Sequence, residues 1–158
     1  MKQEMEQSIA LRIQQQFLEE LRGANETSAH FGLRLSEQGM LQLAQARTQA
    51  LIDHGRVELG TSAVRIIAEG FCDSPYLLQE DYETILPELV DAFYYFKNAC
   101  GEQLTDDELI EAMRERFDAY DGSVEAVIGT SLEALCRARR FGFEDAEWED
   151  EDDERDDE

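Results

Sequence analysis

The sequence predicts a mainly α protein: a compact irregular helical bundle with room for one short two-stranded β element, followed by a disordered acidic carboxy-terminal tail. Three observations lead there. Tyr82, Ile85, Leu86, Leu89, Val90, Phe93 and Phe96 recur at spacings of three and four, which gives one long helix a wide apolar face. Polar caps precede several apolar-periodic stretches, notably Ser36 and the pair Thr105 and Glu108, so those helices have defined starts. No segment repeats at a constant period, which favours a bundle over a solenoid.

In chain order, Met5, Ile9, Ile13, Phe17 and Leu21 form an i+4 stripe on a first helix that the pattern ends before Gly23, with Ala24 to Thr27 as the connection. This stripe is a candidate interaction surface. Packing on the body satisfies it with the fewest assumptions, and pairing with a second copy satisfies it too. Phe31, Leu33 and Leu35 alternate through FGLRL, as do Val57 and Leu59 through RVEL; these two runs are the candidate β pair. Between them Ser36 caps a helix over Glu37 to His54, whose buried surface is expected from Met40, Leu41, Ala44, Leu51 and Ile52, with Gly55 as its stop.

Thr61 or Ser62 starts a third helix to about Phe71, with Val64, Ile67 and Phe71 inward, and Asp73, Ser74 and Pro75 then punctuate the chain. The long central helix is expected from Asp81 to Cys100. Pro87 costs little in a first turn, whereas a helix already begun at Asp81 is kinked there. Thr105 and Glu108 have capping-box spacing before the inward face Leu109, Ile110, Met113 and Phe117. After the turn at Asp121 to Ser123, Gly129 allows a break, with Thr130 and Glu133 spaced for a new cap. Arg137, Arg139 and Arg140 gather where a helix carboxy end favours cations.

Charge separates the chain into two parts. The formal charge is −23, and residues 144 to 158 hold twelve carboxylates with Arg155 as their sole cation. One helical domain over residues 1–143 and an acidic tail over 144–158 is therefore the expected organisation, since two independent domains in 158 residues would each be marginal. No basic footprint supports direct nucleic-acid binding, and attachment to an anionic membrane is disfavoured. A basic protein would be attracted. Cys72, Cys100 and Cys136 are far apart and set among apolar residues, as buried thiols in a reducing compartment are. With no apolar leader or spanning stretch, the expected location is the cytoplasm.

Catalytic and cofactor motifs give little. His30 and His54 belong to no metal or triad pattern, and no phosphate loop or dinucleotide fingerprint is present, so no cofactor is expected. Asp106, Asp107, Glu108 and Glu111, and then Asp118, Asp121 and Glu125, are dense in carboxylates, yet caps and solvated surface explain them. Tyr94, Tyr95 and Trp148 join the amino-terminal stripe as candidate contact residues, because aromatic side chains supply broad amphipathic area. The function expected is a protein-interaction or regulatory module with an unidentified protein partner, a second copy included. The alternatives are a small-molecule or metal-dependent enzyme built on clustered carboxylates, and an acidic nucleic-acid mimic that binds a basic protein.

The stretches FGLRLSEQGMLQL, GRVELG, AEGFCDSPYLLQEDY and AFYYFKNACGEQLTDDELIEAMRERFD resemble a small uncharacterised, mainly helical family found in anaerobic Firmicutes. The resemblance spans residues 31 to 127. It implies common ancestry and carries no assigned activity, so no catalytic residue follows from it.

Overall fold

A computed structural model describes residues 2–58 and 62–142. Helix α1 is Lys2–Ser28, followed by a 3-10 turn at Ala29–Phe31, α2 at Glu37–Asp53, α3 at Ala63–Phe71, α4 at Gln79–Ala99, α5 at Asp106–Ala119, α6 at Val124–Ile128 and α7 at Thr130–Phe141. The class is mainly α, with no strand among the described residues. The acidic run and Trp148 lie outside the described residues, as do Leu59 and Thr61. The chain divides into two compact units, Met1–Asp91 and Ala92–Glu158.

In the first unit, α1 does not stop at Gly23. It runs five residues further because Leu21, Ala24 and Ser28 are buried on one face, and that burial outweighs the roughly 1 kcal/mol cost of a helical glycine. Clearance explains the glycine. A β-carbon at position 23 would stand 3.0 Å from Arg65 Nη2, so the guanidinium lies flat against the helix. A hydrogen bond to Glu69 and then the nearby charges of Glu20 and Glu26 hold that guanidinium above its ordinary pKa, against the opposing effect of burial.

The alternating FGLRL run is extended at Leu33 and Leu35, both buried, but it makes no strand. Side chains take the place of a neighbouring strand. Asn25 donates Nδ2–H to Leu35 O (3.0 Å) and accepts Leu35 N–H on Oδ1 (2.8 Å). Gln79 treats Arg34 the same way, accepting its N–H (2.7 Å) and donating to its carbonyl (2.9 Å). Ser28 Oγ donates to Leu33 O at 2.7 Å. Every backbone polar group must be paired or solvated, and here two amides from α1 and α4 do what a β ladder would. The expected pairing with RVEL is therefore absent over the described residues.

Helix α2 begins where its cap says. Ser36 Oγ accepts Gly39 N–H at 3.0 Å, and the Ser36 N–H and hydroxyl both donate to Glu83 Oε2, at 2.6 and 2.7 Å. It ends at His54 with Gly55 in the left-handed region (φ +63°). Arg56 N–H reaches Leu51 O at 2.8 Å and Gly55 N–H reaches Ile52 O at 3.2 Å, the two bonds of a Schellman stop. For α3, the first amides are held by carboxylates from elsewhere: Ser62 N–H by Glu20 (3.1 Å) and Ala63 N–H by Glu58 (3.2 Å). Negative charge suits that end of the helix dipole.

Helix α4 starts at Gln79, so Pro87 falls in its interior rather than its first turn. The helix persists because Tyr82, Leu86, Leu89 and Val90 are fully buried around the proline, against a cost of about 3 kcal/mol for a mid-helix proline. The residues of α4 from Ala92 onward belong to the second unit, where Phe93, Phe96 and Cys100 are buried. There the Thr105 and Glu108 capping box forms, with Thr105 N–H on Glu108 Oε1 at 2.9 Å and Glu108 N–H on Thr105 Oγ1 at 3.1 Å. The break at Gly129 is also present, but the cap position of α7 is Gly129 itself, with no side-chain hydrogen bond, and α7 begins at Thr130.

Candidate functional site

Sequence periodicity assigned Leu41 and Ile52 to the buried face of α2. Both are exposed, by 43% and 68%; the helix buries Met40 as expected, together with Gly39, Leu43 and Ala50. The Glu83 side chain reaches over Gly39, where a β-carbon would overlap its carboxylate. The outward face of α2 is unusual for so acidic a chain. Between Glu37 in the first turn and Asp53 in the last, each exposed α2 side chain is uncharged: Gln38, Leu41, Gln42, Gln45, Thr48, Gln49 and Ile52.

A groove of about 630 Å³ runs between this face and α1, lined by Gln14, Phe17, Ala44, Gln45, Arg47, Thr48 and Gln49. Its one cation is committed. Arg47 Nε donates to Glu58 Oε1 at 2.9 Å, both side chains being mostly buried, and the guanidinium carbon sits 4.8 Å above the Phe17 ring. This anchors the groove floor through α3, since Glu58 also holds the Ala63 amide. Thr48 donates to Ala44 O and Gln49 to Asp53, so the wall presents ordered amides and hydroxyls. A second groove of similar volume, lined in part by Asn25 and Leu35 of the clamp, gathers Arg22, His30 and Arg34 with Glu26 and Glu37. Its opposite charges nearly cancel.

A family model described as a family of unknown function, DUF6323, matches residues 20–145, which is most of the chain. The chain belongs to the DUF6323 family. No curated protein and no solved structure matches it. The match takes in the whole of α2 through α7, and it begins inside α1, so the Gln14 and Phe17 side of the first groove precedes it.

In this DUF6323 protein the candidate contact residues have different fates. Phe17 and Leu21 are buried in the first unit, whereas Met5 is 66% exposed. The side chains of Ile9 and Ile13 lie outside the described residues. Each described side chain from Gln3 to Gln16 is exposed. Tyr94 is buried, with its ring edge-on to Phe93 at 5.5 Å. Tyr95 is partly exposed, and its hydroxyl donates to Glu133 at 3.3 Å. Partial burial and then the Glu133 charge raise its pKa.

Three of the clustered carboxylates are occupied locally. Asp106 accepts Lys97 Nζ at 2.9 Å, Asp118 accepts Arg114 Nε at 2.7 Å, and Glu108 closes the capping box. The Thr105 amide and then the Thr105 hydroxyl hold the Glu108 carboxyl below its usual pKa. Among the described residues no three His, Cys, Asp or Glu side chains converge as a metal cage requires. His54 Nε2 lies 3.0 Å from Asp91 at the end of α2. All three cysteines are free and buried, and folding brings Cys100 beside Cys136. Burial, then the neighbouring Cys100, pushes the Cys136 thiol up to about 12, where it is neutral and a poor nucleophile. Among the described residues no helix is long and apolar enough to cross a membrane.

The exposed α2 face was missed by periodicity, which cannot tell an apolar residue facing the core from one facing a partner. A signal was present all the same. Arg47 is the one charged residue between Glu37 and Asp53, in a chain that is 32% charged.

Proposed function

We propose that this DUF6323 protein is a cytoplasmic protein-interaction module that docks a protein partner through the uncharged face of α2 and the adjoining groove on α1. The observation that carries this reading is the run of exposed, uncharged α2 side chains on a chain of net charge −23. Solvated surface on so acidic a protein is normally charged, and a neutral face with exposed Leu41 and Ile52 has low desolvation cost when covered. Charge distribution supports the same reading. Residues 1–56 carry six cations against seven carboxylates, which leaves −22 on the remainder, so an approaching protein meets least repulsion at the amino-terminal third. The acidic run 144–158 would speed encounter with a basic surface without setting specificity.

Deleting residues 1–22 would be a poor test, because Phe17 and Leu21 are part of the core. Surface charge insertion leaves the core intact. Affinity capture from native extract, comparing the full chain with a Gln45→Glu/Ile52→Glu variant and with residues 1–143, should give a stoichiometric protein partner that the double variant loses and the tail truncation keeps. A partner lost with the tail and retained by the double variant would replace this reading with charge-driven binding through residues 144–158.

A further inference from the structure

The occupant of the α2 face can be argued further, on the basis of the interaction reading above. Leu41, Gln45, Thr48 and Ile52 are separated by four, three and four residues, so they lie in one line along the helix. All four are exposed. Read from either end, the order is apolar, hydrogen-bonding, hydrogen-bonding, apolar. Such a line is self-complementary under a two-fold rotation: two antiparallel copies of α2 in register set Leu41 of each against Ile52 of the other, and Gln45 against Thr48.

That chemistry is what a two-fold interface requires, since the same patch must serve both sides. An amide both donates and accepts, and the Thr48 hydroxyl, whose proton is on Ala44 O, still accepts, so the Gln45 amide of each copy can donate to Thr48 of the other across the axis. A patch bearing one sign of charge could not meet its own copy, and the excess of −22 over residues 57–158 is of that kind. The glutamines that flank the line, Gln38, Gln42 and Gln49, are likewise indifferent to which copy they face.

We propose that the exposed α2 line is a self-docking surface, and that its occupant is the α2 of a second copy of this chain, packed antiparallel about a two-fold axis near residues 45 to 48. Its size sets the strength. A 17-residue helix is about 25 Å long, and with the adjoining strip of α1 at helix-packing distance it offers roughly 500 Å² per copy. Two such faces reach the lower edge of specific interfaces, as in a reversible dimer. Two copies of net charge −23 repel one another, so the dimer tightens as salt screens them. A complex held by attraction between opposite charges does the reverse.

Sedimentation equilibrium of the full chain up to about 100 µM, a range suited to an interface of this size, tests the proposal at low and high salt. The expected result is a monomer–dimer equilibrium that strengthens with salt. Ile52→Glu, by burying a charge against Leu41 of the other copy, and Gln45→Glu, by setting like charges across the axis, each weaken it about tenfold or more, while circular dichroism stays unchanged. A Leu41→Cys/Ile52→Cys variant, oxidised by dissolved oxygen or a disulfide reagent, becomes a covalent dimer. A chain that stays monomeric at high salt overturns the proposal, as does dimerisation that Ile52→Glu leaves intact. If the chain is monomeric yet captures a partner that the Gln45→Glu/Ile52→Glu variant loses, self-docking fails and the interaction reading survives.

Discussion

Gly39 and Glu83 share one volume: the Glu83 carboxylate lies where the β-carbon of any other residue at position 39 would have to be. From that position Glu83 holds both the amide and the hydroxyl of Ser36, and Ser36 in turn caps α2. The first turn of α2 is thus tied to α4 through one carboxylate.

Gly39→Ala should therefore destabilise the protein by about 1 kcal/mol, since the Glu83 carboxylate swings aside and releases the Ser36 amide and hydroxyl, both partly solvated. With Glu83→Ala already present, the same change should cost nothing or gain up to about 1 kcal/mol, alanine being the better helix former. Denaturant unfolding of the four proteins in the cycle reads the coupling. Equal costs of Gly39→Ala in both backgrounds would remove Glu83 from this account.

The Asn25 clamp can be tested at one amide. Asn25→Ala leaves the Leu35 N–H and carbonyl, now paired at 2.8 and 3.0 Å, without partners in a partly buried place. A loss of about 1–3 kcal/mol is expected, together with faster hydrogen exchange at Leu35 than at the α2 amides. Unchanged exchange at Leu35 would mean that the clamp does not hold the segment.

Alkaline pH should unfold the protein through two buried acids. Burial raises Tyr82 to about 12, and its hydroxyl faces Ser28 without the geometry of a hydrogen bond; Cys136 is likewise raised to about 12. In the unfolded chain these groups ionise near 10 and 8.5. The stabilisation is whole below those values and falls as pH rises towards 12, by about 1.4 kcal/mol per pH unit for each group in its window. Tyr82→Phe removes an unpaired buried hydroxyl, so it should be neutral or stabilising at neutral pH and should flatten the decline above pH 10. A Tyr82→Phe protein with the wild-type alkaline profile would exclude Tyr82 as a cause.

In the second unit Lys97 is buried and ties the α4–α5 loop, donating to Leu104 O at 2.8 Å and to Asp106 at 2.9 Å. Lys97→Met keeps the packing and orphans that carbonyl. The expected cost is about 1–3 kcal/mol, limited by the partial exposure of Asp106. Thermal unfolding within error of wild type would show the tie to be dispensable.

One cooperative transition is proposed for residues 1–143, because α4 supplies Tyr82, Leu86 and Leu89 to one unit and Phe93 and Phe96 to the other. Calorimetry of the full chain should give a calorimetric enthalpy equal to the van 't Hoff value. Two resolved peaks would make the units separate domains.

How much of this was legible depended on how local the cause was. Ser36, Ser62 and Thr105 with Glu108 marked helix starts because a cap acts within three residues, and Gly55 marked a stop for the same reason. Gly23 and Pro87 misled because their reasons are distant: Arg65 needs the room at Gly23, and the fully buried residues of α4 outweigh the cost of Pro87. FGLRL alternates as a strand does, and nothing in its own residues reveals that Asn25 and Gln79 will take its hydrogen bonds. The α2 face failed for a further reason. Leu41 and Ile52 satisfy a helical period equally well whichever way they point.

The side-chain clamp on residues 33 to 36 also bears on solubility. An extended, alternating, apolar run with free backbone groups is a template on which other chains add as strands. Here the ladder positions of Arg34 and Leu35 are filled by amides that end there and propagate nothing. A chain lacking both Asn25 and Gln79 would leave those ladder positions open to another strand, a route to aggregation that its lost stability alone would not describe.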